Sequence, residues 1–330
     1  MNPRRTLLVL LGASVLAPGV ALAQAKPASG KVWRIGFFYN GPRRTAMDTG
    51  RYPAFLQGMR ELGYVEGKDF VVEARFAPEL NPLAPAAELV RANVDVIVSS
   101  GGAAASALKQ ATSTIPVVVA TTIDPVRQGY AASFARPGGN FTGLSSHPYD
   151  GYPKHVELLQ LAVPKLSRIA VLANSGNVNH PPLLETIESA ARGRGIEVAR
   201  VGGDTIEEIE KGIGASAHRR IPAFIILGSA FFVQYFGQIA GFALRNRLAS
   251  IYAGREYPEA GGLMGYGPNI PDNYRRAATY VDRILKGAKP GDMPIEQPTK
   301  FELVINRKTA NALGIKLSEE LLFRADKVIE

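Results

Sequence analysis

Along this chain, short continuous apolar runs alternate with stretches in which apolar residues recur every three or four positions. Residues 33–39 (WRIGFFY), 70–76, 94–98 and 116–120 have the strand pattern. Between them, residues 52–62 place Phe55, Met59 and Leu62 on one helical face, and Gly63 follows where a helix terminator belongs. Residues 83–93 and 103–111 predict two more helices, 126–134 a short one and 141–144 a short strand. Strands separated by helices mean βαβ units and a parallel sheet.

The pattern then restarts, with no detectable sequence repeat linking the halves. Helices are predicted over 154–162, 181–192, 206–217 and 231–246, and strands over 167–173, 196–201, 223–227 and 250–252. The tail has too few elements for a third domain. It offers a strand near 263–265, a strong helix over 270–286, a Pro-rich connection over 288–298, a strand over 301–305 and a helix over 307–313 that ends at Gly314. These must add to the earlier units, so the chain returns to its first lobe. The expected fold is α/β, two doubly wound (Rossmann-like) lobes joined by a hinge, with a cleft between them. Lobe one is expected over 33–144 plus about 267–298, and lobe two over 145–266 plus about 299–330.

Composition changes this picture little. Apolar residues make up 46% and charged residues 20% of 330 residues, a globular balance. The net charge of +9 is scattered singly and in pairs such as Arg219 and Arg220, with no basic tract or aromatic-plus-basic motif, so no nucleic-acid partner is expected. The N-terminus matters more. A basic MNPRR, an apolar run interrupted by Gly and Pro, and Ala21-Leu22-Ala23 form a cleavable export signal over 1–23, followed by a linker over 24–32. The chain has no cysteine, which excludes disulfides, thiolate metal sites, a cysteine nucleophile and a lipid-modified cysteine. The mature protein is expected free in the periplasm, as a monomer.

In open α/β sheets ligands bind beyond the carboxyl ends of the strands. In lobe one these positions hold Tyr39 and Asn40, then Ser100, Gly101, Gly102 and Ala103 at the start of a helix, then Thr122 and Asp124. In lobe two they hold Asn174 and Asn177, Ser229, and Glu256 with Tyr257, while Tyr266 marks the return crossing. The set is polar, mostly uncharged and partly aromatic, suited to a small hydrogen-bonded ligand. Several of these residues also suit turns and caps, notably Asp124 before Pro125. Enzyme signatures are missing: there is no G-x-S-x-G, no P-loop and no G-x-G-x-x-G after the first strand. His147, His155, His180 and His218 are dispersed, so neither a metal nor another cofactor is expected. A hydrolase would need Ser229 or Ser100 to meet a histidine and an aspartate in space.

Four segments carry a family resemblance: GYVEGKDFVVEARFA, LVRANVDVIVSSGGAAASALKQATSTIPVVVATTIDPV, FARPGGNFTGLS, and the long run from YGPNIPDNYRRAATY to NRKTANALGI. In this order they resemble the tryptophan/tyrosine-type family of ABC-transporter substrate-binding proteins, from about Trp33 to Ile329. The resemblance implies a type I periplasmic-binding-protein fold that closes on a small carboxylated solute, an amino acid (aromatic ones included) or a related organic acid, and hands it to ABC permease membrane subunits. It makes Ser100, Gly101, Gly102, Ala103, Thr122 and Asp124 the lobe-one ligand loops, with Asn174, Asn177 and Ser229 opposite. Where relatives commonly carry Asn-Pro-x-Asn, this chain has Asn174-Ser175-Gly176-Asn177. An exported serine hydrolase and a ligand sensor on the same fold are the alternative readings.

Overall fold

The structure is a computed structural model that describes residues 30–77, 81–146 and 151–330. The expected export signal, most of its linker and His147 lie outside the described residues. The elements form two sheets, each with helices on both faces, in mixed α/β lobes.

The first sheet comprises β1 (Trp33–Tyr39), β2 (Phe70–Phe76), β3 (Val96–Ser99), β4 (Val117–Thr122) and β5 (Phe141–Ser145). They pair in parallel in the order β2-β1-β3-β4-β5. The central strands β3 and β4 are buried except at Thr121, as expected of a parallel sheet covered on both faces. The edge strand β2 is only half-buried and carries Glu73 and Arg75. Successive side chains of a strand point to opposite faces, and this divides the core in two. Ile35, Phe37 and Tyr39 of β1 join Phe55 and Met59 of helix α2 (Arg51–Glu61). Phe38 joins the other face, with Ala86 and Leu89 of α3 (Leu83–Arg91) and Ala104 and Leu108 of α4 (Ala103–Ala111). A six-residue helix, α1 (Arg43–Asp48), precedes α2 and has no counterpart in the sequence pattern.

The second sheet has seven strands: β6 (Arg168–Ala173), β7 (Glu197–Gly202), β8 (Ala223–Ile226), β9 (Ala249–Tyr252), β10 (Met264–Gly267), β11 (Glu302–Asn306) and β12 (Lys327–Ile329). Their order is β12-β11-β10-β9-β8-β6-β7, and β10 with β11 is the one antiparallel pairing among them. One face packs against α5 (Tyr152–Ala162) and α6 (His180–Arg192). The other packs against α7 (Ile206–His218), α8 (Ala230–Gln234) and α9 (Phe236–Arg245). The single helix expected over 231–246 is broken at Tyr235, which sits at φ −110 and ends one segment while opening the next. Short α10 (Glu256–Glu259) and α13 (Glu319–Phe323), like β12, were not legible in the apolar pattern.

The tail ties the lobes together. After β10 the chain enters α11 (Ile270–Leu285), whose Ile270, Tyr274, Ala277, Ala278 and Val281 complete the α2 side of the first core. A Cβ on Gly58 of α2 would lie 2.1 Å from the Arg275 carbonyl oxygen, so glycine permits this close helix approach. Leu144 then bridges Glu296, and the chain crosses back to add β11 and, after α12 (Arg307–Leu313), β12 to the second sheet. A chain that changes lobe repeatedly leaves strands of connection between two rigid bodies, the arrangement of a hinge.

The expected helix over 126–134 is corrected. After Asp124 the chain makes turns in which Gln128 N–H bonds the Asp124 carbonyl and Tyr130 N–H that of Pro125. Gly129 at φ +72 then ends any helical course.

Candidate functional site

Both sheets turn the carboxyl ends of their strands toward one interlobe cleft of about 630 Å3, within the ordinary range for small-ligand sites. In each, the central entry point is where strand order reverses: between β1 and β3 in the first sheet, and between β6 and β8 in the second.

The first wall is built around residues 99–103. Ser100 N–H donates to the Phe38 carbonyl at 2.9 Å, and the Asn40 N–H donates to Ser100 Oγ at 3.0 Å. Gly101 N–H donates to Thr121 Oγ1 at 3.1 Å. The N–H groups of Ser100 and Gly101 are thereby used up. Those at the start of α4 are not: Gly102 stands at its N-cap with no side-chain cap, at φ 61 and ψ −126, a conformation only glycine adopts readily. Uncapped N–H groups and the positive helix end therefore face the cleft. Gly101 is needed for a different reason, because a Cβ there would lie 1.5 Å from the Thr121 carbonyl oxygen. Gly101→Ala must spread the ends of β3 and β4. We expect a loss of about 1–3 kcal/mol in stability, read as a lower thermal midpoint. An unchanged midpoint would show that the loop yields freely.

The opposite wall consists of Asn174, Gly176, Asn177, Gly228, Ser229 and Phe231. His180 holds it together. Its Nδ1 accepts the Asn174 N–H at 2.8 Å, which leaves Nε2–H to donate to the Gly228 carbonyl at 3.1 Å. Burial pulls the His180 pKa below its ordinary value, so the ring is the neutral tautomer this pattern needs. Asp204 fixes the loop from outside, accepting from Asn174 Nδ2, Ser175 N–H and Ser175 Oγ. Ser229 caps α8 by accepting the Phe231 N–H at 3.2 Å. Of the dispersed histidines, His155 and His180 are buried and structural. Among the described residues no group of three or more His, Cys, Asp or Glu is placed to hold a metal ion.

The two walls meet at a buried ion pair that sequence reasoning missed. Arg51, the first residue of α2, donates through Nη2 to Glu256 Oε1 of α10 at 3.1 Å, with side chains only 7% and 6% exposed. Burial alone would pull the Arg51 guanidinium down, but the negative charge of the paired Glu256 opposes it and the group stays above its ordinary value. Tyr39, Tyr252 and Tyr274 surround the pair, and burial keeps each of their hydroxyls protonated. A second interlobe contact, Gln128 Nε2 to Asn179 Oδ1 at 2.9 Å, lies away from this pair.

Of the expected residues, Tyr39, Asn40, Ser100, Gly101, Gly102, Ala103, Asn174, Asn177 and Ser229 line the cleft. Five do not. Thr122 is buried behind the wall and bonds the Tyr130 hydroxyl, while its neighbour Thr121 takes the cleft position. The Asp124 carboxylate accepts the Arg127 N–H at 2.9 Å, as a turn cap. Glu256 stands behind Arg51, not in a loop. Tyr257 is fully buried against Phe236, its hydroxyl bonded to Ser250 Oγ. Tyr266 stacks on Phe301 at 5.6 Å outside the cleft and offers its carbonyl to His155. Arg51, Phe231, Tyr252, Ile270 and Tyr274 are among the cleft residues that sequence reasoning did not single out.

Comparison with known proteins agrees with this fold. Residues 41–329 match the family model described as ABC transporter substrate binding protein. The chain is 26% identical over 269 residues to a tyrosine-binding protein of Clostridioides difficile (strain R20291), covering 81% of this chain and 77% of that one. A conserved domain protein from Vibrio cholerae O1 biovar El Tor superposes with a TM-score of 0.83 at 27% identity, over 90% of this chain and 100% of that one. An ABC domain from Streptococcus pneumoniae in complex with L-Trp gives 0.83 at 24% identity, over 91% and 100%.

Proposed function

The chain belongs to the ABC transporter substrate-binding protein family, and we propose that its solute is an amino acid, aromatic ones included, held between the lobes outside the cytoplasmic membrane. A carboxylate accepts the free N–H groups at Gly102 and Ala103, where the helix end supplies positive potential and no protein side chain competes. The hydroxyl of Ser100 faces the same place, while Asn177 and Ser229 meet the solute from the second lobe. Tyr39, Tyr274, Phe231 and Ile270 offer apolar area for a side chain. Closure then joins both walls around the solute and forms the surface that permease subunits recognise. The name of the tyrosine-binding relative supports this class.

The observation that carries the reading is the uncapped start of α4, facing a cleft whose other wall is amide and hydroxyl. We infer binding without turnover. Ser229 Oγ is used as a helix cap, and both nitrogens of the nearby buried His180 are committed to Asn174 and Gly228, so neither is free to take a proton from a nucleophile. Thermal melting against a panel of L-amino acids is the direct test. An aromatic member at about 100 times its Kd should add about 2.7 kcal/mol and raise the midpoint by several degrees. A panel in which no amino acid moves the midpoint would remove the proposal.

A further inference from the structure

Arg51 does more at this cleft than pair with Glu256. Its guanidinium is forked: Nη2 serves Glu256, while Nη1 is buried with no hydrogen-bond partner among the described residues. An unpartnered donor on a buried charge is rare in a folded protein and costly to leave so. Arg51 lines the cleft, and its neighbours Tyr39 and Tyr252 line it too. One residue along from Tyr39, Asn40 also lines the cleft, and its Oδ1 is a buried acceptor with no partner. The residues that line the cleft therefore include an unused charged donor and an unused acceptor, and Glu256 Oε2 and the Tyr274 hydroxyl are likewise buried without a partner among the described residues.

We propose that Arg51 is the second anchoring point for the solute, its Nη1 donating to a hydroxyl that the solute carries away from its carboxylate. The inference rests on the amino-acid reading above. Charge balance selects a hydroxyl over a second carboxylate. Arg51 is already neutralised by Glu256, so another anion would leave a net negative charge among buried groups. A hydroxyl adds no charge, accepts from Nη1 and gives its own proton to Asn40 Oδ1. Glu256 acts as a positioning residue from the other lobe, fixing the fork so that Nη1 stays free. Because Arg51 and Glu256 come from different lobes, this recognition is complete only in the closed state.

The test compares L-tyrosine with L-phenylalanine, which differ by one hydroxyl, by calorimetric titration of the purified full chain. The unaltered protein should prefer L-tyrosine by about 10- to 100-fold. Arg51→Lys keeps the charge beside Glu256 but has no planar fork, and should bring the ratio to within about threefold by weakening L-tyrosine. Asn40→Ala leaves the ion pair intact and should shrink the ratio in the same way, which covers the case of an unstable Arg51→Lys. Equal binding of the two amino acids to the unaltered protein, or equal weakening of both by the variants, overturns the proposal while leaving the amino-acid reading standing. If neither amino acid binds the unaltered protein, the reading falls and the proposal with it.

Discussion

Glu256→Ala should lower the stability of this protein by about 3–5 kcal/mol, because it leaves the Arg51 guanidinium buried with no counter-charge. In a chain of this size that is a fall in thermal midpoint on the order of 10 °C. The figure applies without a discount for solvent screening, since both side chains are more than nine-tenths buried. The pair spans the lobes, so part of the cost has another outlet: opening the cleft would hydrate Arg51, and small-angle scattering would then show a larger radius of gyration. A midpoint within two degrees of the unaltered protein and an unchanged radius would refute the assignment. Replacing both partners by methionine should cost far less than either single truncation, since an apolar pair carries no desolvation penalty. The resulting non-additivity in a double-mutant cycle is the sharper measurement.

Acidification should destabilise the protein through His155. Burial pushes this imidazole down to about 4, and its Nε2–H donates to the Tyr266 carbonyl at 2.8 Å. Above about pH 6.5 the ring is neutral folded and unfolded, and it adds no pH dependence. Between about 6.5 and about 4 the unfolded imidazole takes up a proton that the folded one does not, so stability falls with pH across that window. The full loss from this residue is about 3 kcal/mol, reached near pH 4. His180, also held below its ordinary value by burial, contributes in the same direction. Carboxylates add their own slope, so the informative quantity is the difference between the unaltered protein and His155→Gln in melts from pH 8 to pH 4.5. Parallel profiles would acquit His155.

Much of the fold was legible locally. The run Val-Ile-Val-Ser-Ser followed by Gly-Gly and an alanine-rich stretch says strand, tight turn and helix start on its own terms. The turn's contribution, free N–H groups at Gly102, follows from those same residues. Placing Thr122 in the cleft failed for a reason no local pattern could show. The pairing of β4 with β5 shifts register between Val119 and Thr122, and this decides which of two adjacent threonines faces the cleft. Tyr257 failed similarly: its position after a strand suggested the rim, but α10 turns it into the core beside Phe236 and Ser250.

What the sequence determined by itself, then, was whatever depends on neighbours within a turn or two: strand and helix periodicity, the punctuation by glycine and proline, and the loops at the carboxyl ends of parallel strands. Two doubly wound lobes and several of their facing loops, those at 39–40, 100–103, 174–177 and 229, follow from that alone. The charged centre of the cleft does not. Arg51 looks like an ordinary surface residue at a helix start, and it becomes a buried cation only because Glu256, 205 residues away, is brought to 3.1 Å by the chain's return between lobes. Burial and pairing at such separations are properties of the tertiary packing, and the electrostatics of the site belong to it.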